Sequence, residues 1–274
     1  MLRHTTRRRP ASPLTLVASA LLVASCGGDA PAEDRPEVAE TGPRMSLAER
    51  LADGGVLFGV FSGPMTPAQG ADIVLERDAD FVLYSMESGP FDLGAMTAYM
   101  GGMRTGATQH GVPAQPLLLR VPAIHTDPDG AVTRVAEALA TGIGGIIFPH
   151  VTTAQEAAES VTLMGAPWPL GDSGLDVLIV EDREGVSNVS EIMATPGLSV
   201  VFAGPGDLRQ AYDGDMEAVE NAIQAVLSAC LDFEVACGVT AGADDIATRL
   251  EQGFRVIIVT EPEALGVGKA HIRP

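Results

Sequence analysis

The sequence predicts an α/β fold, a single (β/α)8 TIM barrel, and three observations carry that reading. Short runs of β-forming apolar residues alternate with longer amphipathic stretches, the pattern of parallel strand-helix units. Eight such pairs can be counted, the number that closes a barrel. A doubly wound open sheet shares the alternation, but no Gly-x-Gly-x-x-Gly follows the first strand; Ser62-Gly63-Pro64 stands there instead.

In order, the strands read as Val56–Phe61, Asp80–Ser85, Pro116–Val121, Gly144–Pro149, Asp176–Glu181, Ser199–Ala203, Val235–Val239 and Phe254–Val259. The helical stretches between them are Thr66–Arg77, Leu93–His110, Ala131–Ala140, Thr153–Met164, Val186–Met193, Met216–Leu231 and Asp244–Gln252. Several open on good caps: Thr66 precedes Pro67, Thr153 lies three residues before Glu156, and Asp244 precedes an apolar run. After Thr260 a short tail remains.

Ahead of the barrel the chain changes character. Arg3, Arg7, Arg8 and Arg9 precede an apolar run from Leu14 to Ala24, too short to span a bilayer, that ends at Ser25-Cys26. Val23-Ala24-Ser25-Cys26 resembles a lipobox, so residues 1–26 are read as a lipoprotein signal peptide and Cys26 as the lipidated residue. Residues 27–45, rich in Pro, Glu, Asp, Ala and Gly, read as a flexible linker, and residues 46–274 as the barrel. The expected location is the cell envelope, with the chain lipid-anchored to a membrane and facing the periplasm or exterior.

Composition bounds the function. With 46% hydrophobic and 19% charged residues the chain can bury a sizeable core. A formal charge of -19 without a basic stripe excludes nucleic acid, which needs a cationic footprint. Cys230 and Cys237 flank a helix-to-strand turn; a disulfide is open to them in an exported chain, but the expectation is two buried thiols.

In such a barrel, chemistry gathers where the strands end. The third strand ends in Arg120, the fourth in Pro149-His150, the fifth in Glu181, and the sixth in Gly204-Pro205-Gly206-Asp207, while Ser85-Met86-Glu87-Ser88 closes the second. Glu181 and Asp207 thus stand at neighbouring strand ends and can share a hard divalent ion, Mg²⁺ or Mn²⁺. Separately they would read as a solvated strand end and a helix N-cap. Gly204 and Gly206 let a ligand approach the backbone, Pro205 stiffens the turn, and the following helix offers amides to a carboxylate. Arg120 brings a permanent positive charge suited to a developing enolate, or a salt bridge within the barrel mouth. The only lysine, Lys269, lies outside every strand, so a Schiff-base route lacks its nucleophile.

These residues resemble the HpcH/HpaI aldolases, metal-dependent relatives of the citrate lyase β-subunit. The likeness rests on Val201-Phe202-Ala203-Gly204-Pro205-Gly206-Asp207-Leu208, Val180-Glu181 with Gly185-Val186-Ser187-Asn188, Leu119-Arg120-Val121-Pro122, Ile146-Ile147-Phe148-Pro149-His150-Val151 and the Glu87-x-Gly89-Pro90 turn. It implies a metal on Glu181 and Asp207, Arg120 facing a pyruvate enolate, and a small 2-oxo or hydroxy acid whose carboxylate meets the amides of residues 204–207. It further implies aldol cleavage to pyruvate and an aldehyde, and a homo-oligomer, trimer or hexamer. Two motifs depart from the pattern. The family's Asp-x-Glu-His after the second strand is Ser85-Met86-Glu87-Ser88 here, without its acid-base histidine; a glycine-arginine pair becomes Gly171-Asp172. A positioned acid-base group is typically worth about 10²- to 10⁴-fold. His150, and His125 beside Asp127, are the candidates to replace it, with Arg120, His150 and Glu87 read as the catalytic residues; the alternative is a degenerate barrel that binds metal and a 2-oxo acid without turnover.

Overall fold

A computed structural model describes residues 45–165 and 174–273; the signal segment with Cys26, the linker to residue 44 and Gly171-Asp172-Ser173 lie outside the described residues. Eight parallel strands close a barrel in sequence order: β1 (Leu57–Phe61), β2 (Phe81–Ser85), β3 (Leu117–Arg120), β4 (Gly145–Phe148), β5 (Leu175–Val180), β6 (Val200–Ala203), β7 (Ala236–Ala241) and β8 (Val256–Val259). The seam is shut by β1 on β8, with Leu57 opposite Val256 and Gly59 opposite Ile258.

Strand periodicity sorts the side chains into two shells. Leu57, Phe81, Leu83, Leu118, Ile147, Leu175, Val177, Ile179, Val200, Phe202, Val256 and Ile258 fill the interior as one buried cluster. Their alternate neighbours, among them Phe58, Val82, Leu119, Ile146, Leu178, Val201 and Ile257, meet the helices in the second, larger cluster. Gly59 belongs to the interior parity, and a Cβ there would stand 2.3 Å from the Phe81 ring, which fills the space the glycine leaves.

Around the strands lie α2 (Pro67–Ile73), α3 (Leu93–His110), α4 (Pro128–Leu139), α5 (Ala154–Leu163), α6 (Arg183–Ser187), α7 (Val189–Met193), α8 (Pro205–Ala211), α9 (Met216–Asp232) and α10 (Ile246–Gln252). Two of the three expected caps form: Thr66 and Thr153 each accept from the third amide of their helix, and Thr153 makes a full capping box with Glu156, whereas α10 starts after Asp245, not Asp244, and has no side-chain cap. The stretch expected as one helix over Val186–Met193 is two, because the chain turns at Asn188, which ends α6 and begins α7.

Two helices were not anticipated. Before β1, α1 (Leu47–Ala52) is fixed by a Ser46–Glu49 capping box and drops Leu47 and Leu51 into the interior cluster, so it closes the bottom of the barrel. The tail after Thr260 is α11 (Glu263–Ile272). Both are held by Asp80, just ahead of β2: its carboxylate accepts from Arg50 at 2.7 Å, from Lys269 at 3.0 Å and from the Phe58 amide at 2.8 Å. Lys269 therefore stands at the end of the barrel away from the strand C-termini.

The cysteine expectation is overturned. Cys230, in the last turn of α9, faces the sheet, and Cys237 has the outward parity on β7, so the tight turn brings their Cα atoms to 5.6 Å and the sulfurs are bonded. On β5, Asp176 also points outward and is 4% exposed. One oxygen takes the Ser160 hydroxyl at 3.2 Å; the other has no partner among the described residues. Burial pushes its carboxyl up to about 8, outweighing the Ser160 bond.

Candidate functional site

Interior parity continues one step past the apolar layers and lifts a set of polar groups to the C-terminal rim. Phe81, Leu83 and Ser85 alternate inward on β2, as do Leu118 and Arg120 on β3, and Ser85 pairs in register with Arg120. On β5 the run Leu175, Val177, Ile179 leads to Glu181, immediately after the strand. The side chains meet as this predicts. The Arg120 Nε donates to the Ser85 hydroxyl at 2.9 Å, and its Nη2 contacts Glu87 Oε2 at 2.9 Å. Arg120 is thus a member of a rim salt bridge and a fixed positive charge at the same time.

Glu181 is the centre of the arrangement. It is 2% exposed, an unusual place for a carboxylate. Its Oε1 accepts the His150 amide at 3.1 Å. Its Oε2 lies where a Cβ on residue 204 would be, 2.5 Å away, so the glycine of the β6–α8 turn is what admits it. Burial pushes the Glu181 carboxyl up to about 8; the His150 ring pulls against this, and the nearby Asp207 carboxylate adds to it. The two acids expected to share an ion are therefore neighbours. Asp207 is the third residue of α8, not its N-cap, and takes a hydrogen bond from Gln210 at 2.9 Å. The first bond within α8 runs from the Leu208 amide to Gly204 O at 3.0 Å, leaving the Gly206 and Asp207 amides unused by the helix. A Cβ on Gly206 would meet nothing within 4 Å, so space lies above it.

His150 joins the cluster. Its Nδ1 lies 3.0 Å from Asp182 Oδ2 and 3.7 Å from Glu181 Oε1, and its Nε2 3.5 Å from Glu87 Oε1. Burial draws its pKa down, but hydrogen bonding to Asp182 and the charges of Glu181, Asp182 and Glu87 outweigh burial and raise it. One ligand atom from each of Glu87, His150 and Glu181 falls within 4.8 Å of the others. Glu87 Oε1 is buried with no hydrogen-bond partner among the described residues, so the set has an unused acceptor of the kind that fits a cation. Asp182 is the member that strand-end reasoning missed, and Ser85, named at the end of the second strand, had no role assigned; adjacency to Glu181 and parity with Arg120 were the available signals.

The His125–Asp127 pair does not form. Asp127 caps α4 and is engaged by Arg134 at 2.7 Å, while His125 Nδ1 turns to Glu156 Oε1 at 2.9 Å. Glu156 is held in turn by the Thr152 and Thr153 amides, so His125 belongs to a helix cap and not to the rim cluster. Ser88 is exposed.

Comparison with known proteins agrees with this geometry. A hydroxypyruvate/pyruvate aldolase of Paraburkholderia phytofirmans is 27% identical over 243 residues, covering 77% of this chain and 89% of that one. Among solved structures, an HpcH/HpaI aldolase/citrate lyase family protein from Burkholderia cenocepacia superimposes with a TM-score of 0.66 at 24% identity, over 82% of this chain and 95% of that one. A citrate lyase beta subunit from M. tuberculosis, complexed with oxaloacetate and magnesium, gives 0.58 at 18% identity, over 80% of this chain and 98% of that one. The family model described as HpcH/HpaI aldolase/citrate lyase matches residues 58–260, which takes in every strand but the first residue of β1 and every rim group, and the chain belongs to that family.

Proposed function

We propose that this chain is a divalent-cation-dependent carbon–carbon lyase that releases pyruvate from 2-oxo-4-hydroxy acids through a pyruvate enolate. One observation carries the reading: a buried Glu181 in contact range of Asp207, facing the Arg120–Glu87 pair across the rim of a barrel of this family. Relatives named as aldolases support it. Glu181 and Asp207 would hold Mg²⁺, Mn²⁺ or a related ion. Such an ion, once bound, supplies the Lewis acid that takes up charge at the 2-oxo oxygen.

The chain's own groups do the rest. The Gly206 and Asp207 amides meet the substrate carboxylate, and Gly204 and Pro205 shape that turn. The 4-hydroxyl gives up its proton to a rim group, the C3–C4 bond breaks to release the aldehyde, and its electron pair becomes the enolate faced by Arg120. A proton returned to C3 completes pyruvate. With Ser88 in place of a histidine, Glu87 and His150 are the rim groups within reach of that proton.

The test is pyruvate release from 4-hydroxy-2-oxopentanoate, measured by chromatography with Mg²⁺, Mn²⁺ or chelator across pH. Metal-dependent release that Glu181→Gln reduces by about 10²-fold or more is expected. Absence of turnover at every pH with an ion bound would leave the degenerate binding barrel as the better account.

We also propose a lipid-anchored location in the cell envelope, through Cys26. The Cys230–Cys237 bond supports it, because structural disulfides persist in oxidising compartments. Incorporation of labelled palmitate, lost in Cys26→Ser, is the check.

A further inference from the structure

The rim holds a donor that two carboxylates do not account for. His150 has φ +54°, a left-handed conformation that costs a non-glycine residue on the order of 1–3 kcal/mol and persists where its surroundings impose it. Here they do. The His150 amide donates to Glu181 Oε1 at 3.1 Å, and the ring is pinned by Asp182 at 3.0 Å from Nδ1. A proton on Nδ1, donated to that carboxylate, leaves the lone pair on Nε2, which lies 3.5 Å from Glu87 Oε1, an oxygen without a hydrogen-bond partner among the described residues. The ligand atoms of Glu87, His150 and Glu181 lie within 4.8 Å of one another, close enough that side-chain adjustment would bring them onto one ion. Metal-bound imidazoles almost always give their other N–H to a carboxylate, a carbonyl or water, which is the relation Asp182 has to His150.

We propose that His150 is a nitrogen ligand of the divalent cation through Nε2, oriented by Asp182, and that the site therefore favours borderline transition ions over Mg²⁺. The inference rests on the reading of Glu181 and Asp207 as metal ligands given above. Oxygen-only sites suit Mg²⁺, whereas imidazole favours the later first-row ions. A ring nitrogen bound to the ion cannot also carry the substrate proton, so His150 would leave the set of acid-base groups.

Equilibrium dialysis of the full chain with Co²⁺ and with Mg²⁺ tests this, paired with pulsed EPR of the Mn²⁺-loaded protein to detect a directly bound nitrogen. The parent chain should bind Co²⁺ at least about tenfold more tightly than Mg²⁺ and show nitrogen coupling. His150→Asn, chosen because asparagine tolerates positive φ, should weaken Co²⁺ by about tenfold or more, change Mg²⁺ by less than about threefold and abolish the coupling. Asp182→Asn should weaken Co²⁺ by about tenfold. If His150→Asn holds Co²⁺ like the parent while Glu181→Gln loses it, the nitrogen ligand is refuted and the carboxylate site stands. If the parent binds neither ion, the carboxylate site fails with it. The EPR measurement on the parent needs no substitution, so a misfolded variant cannot rescue the proposal.

Discussion

Asp176 makes the stability of this barrel depend on pH in a direction opposite to that of a typical salt-bridged carboxylate. It is 4% exposed, one oxygen has no partner among the described residues, and burial lifts it from 3.8 to about 8. The folded state therefore keeps a proton that the unfolded chain releases near its ordinary value. Stability from this group is fully present below about 3.8 and is lost as pH rises toward about 8. Within that window the slope is about 1.4 kcal/mol per pH unit, so roughly 3 kcal/mol disappears between about pH 5 and pH 7.5. Asp176→Asn keeps the shape and the bond from Ser160 but does not ionise. Urea unfolding of both proteins across this range should give curves that diverge with pH, the variant becoming the more stable toward pH 7.5. Curves that stay parallel would refute the reasoning, since every other titrating group is common to the two.

Gly204→Ala should push Glu181 off its position, because a Cβ would stand 2.5 Å from Oε2; isothermal titration should show metal affinity falling by about tenfold or more with the barrel still folded. The Cys230→Ser/Cys237→Ser double variant should lose about 2–3 kcal/mol, the loop-closure effect of a short disulfide loop, read as a lower urea midpoint that dithiothreitol does not lower further. In Arg120→Lys the bidentate reach to Ser85 and Glu87 is lost, and kcat for pyruvate release should drop by about 10²-fold with little change in metal affinity.

The eight strands were legible because each is an apolar run bounded by turn residues, and their ends named the rim: Arg120, Glu181 and Asp207 came straight from strand termini. What sequence periodicity could not supply was the direction of a side chain beyond a strand. His150 and His125 both follow strands, yet a positive φ turns one ring to the rim while the Glu156 cap takes the other. The disulfide was hidden for a related reason, since the separation of Cys230 and Cys237 depends on how closely α9 folds back onto β7. The missed α1 had a readable sign, Ser46-Leu47-Ala48-Glu49, which matches a capping box. α11 is preceded by the similar Thr260-Glu261-Pro262-Glu263, but no side-chain cap forms at its start, Pro262.

Asp80 gives the molecule a single clasp. Arg50 from the opening helix and Lys269 from the closing one converge on the same carboxylate, next to the place where β1 and β8 complete the ring. The first and last elements of a domain usually fray independently, but here neither α1 nor α11 can peel away without disturbing the other's anchor. Replacing Asp80 should loosen both ends together, and amide exchange would record them opening as one unit.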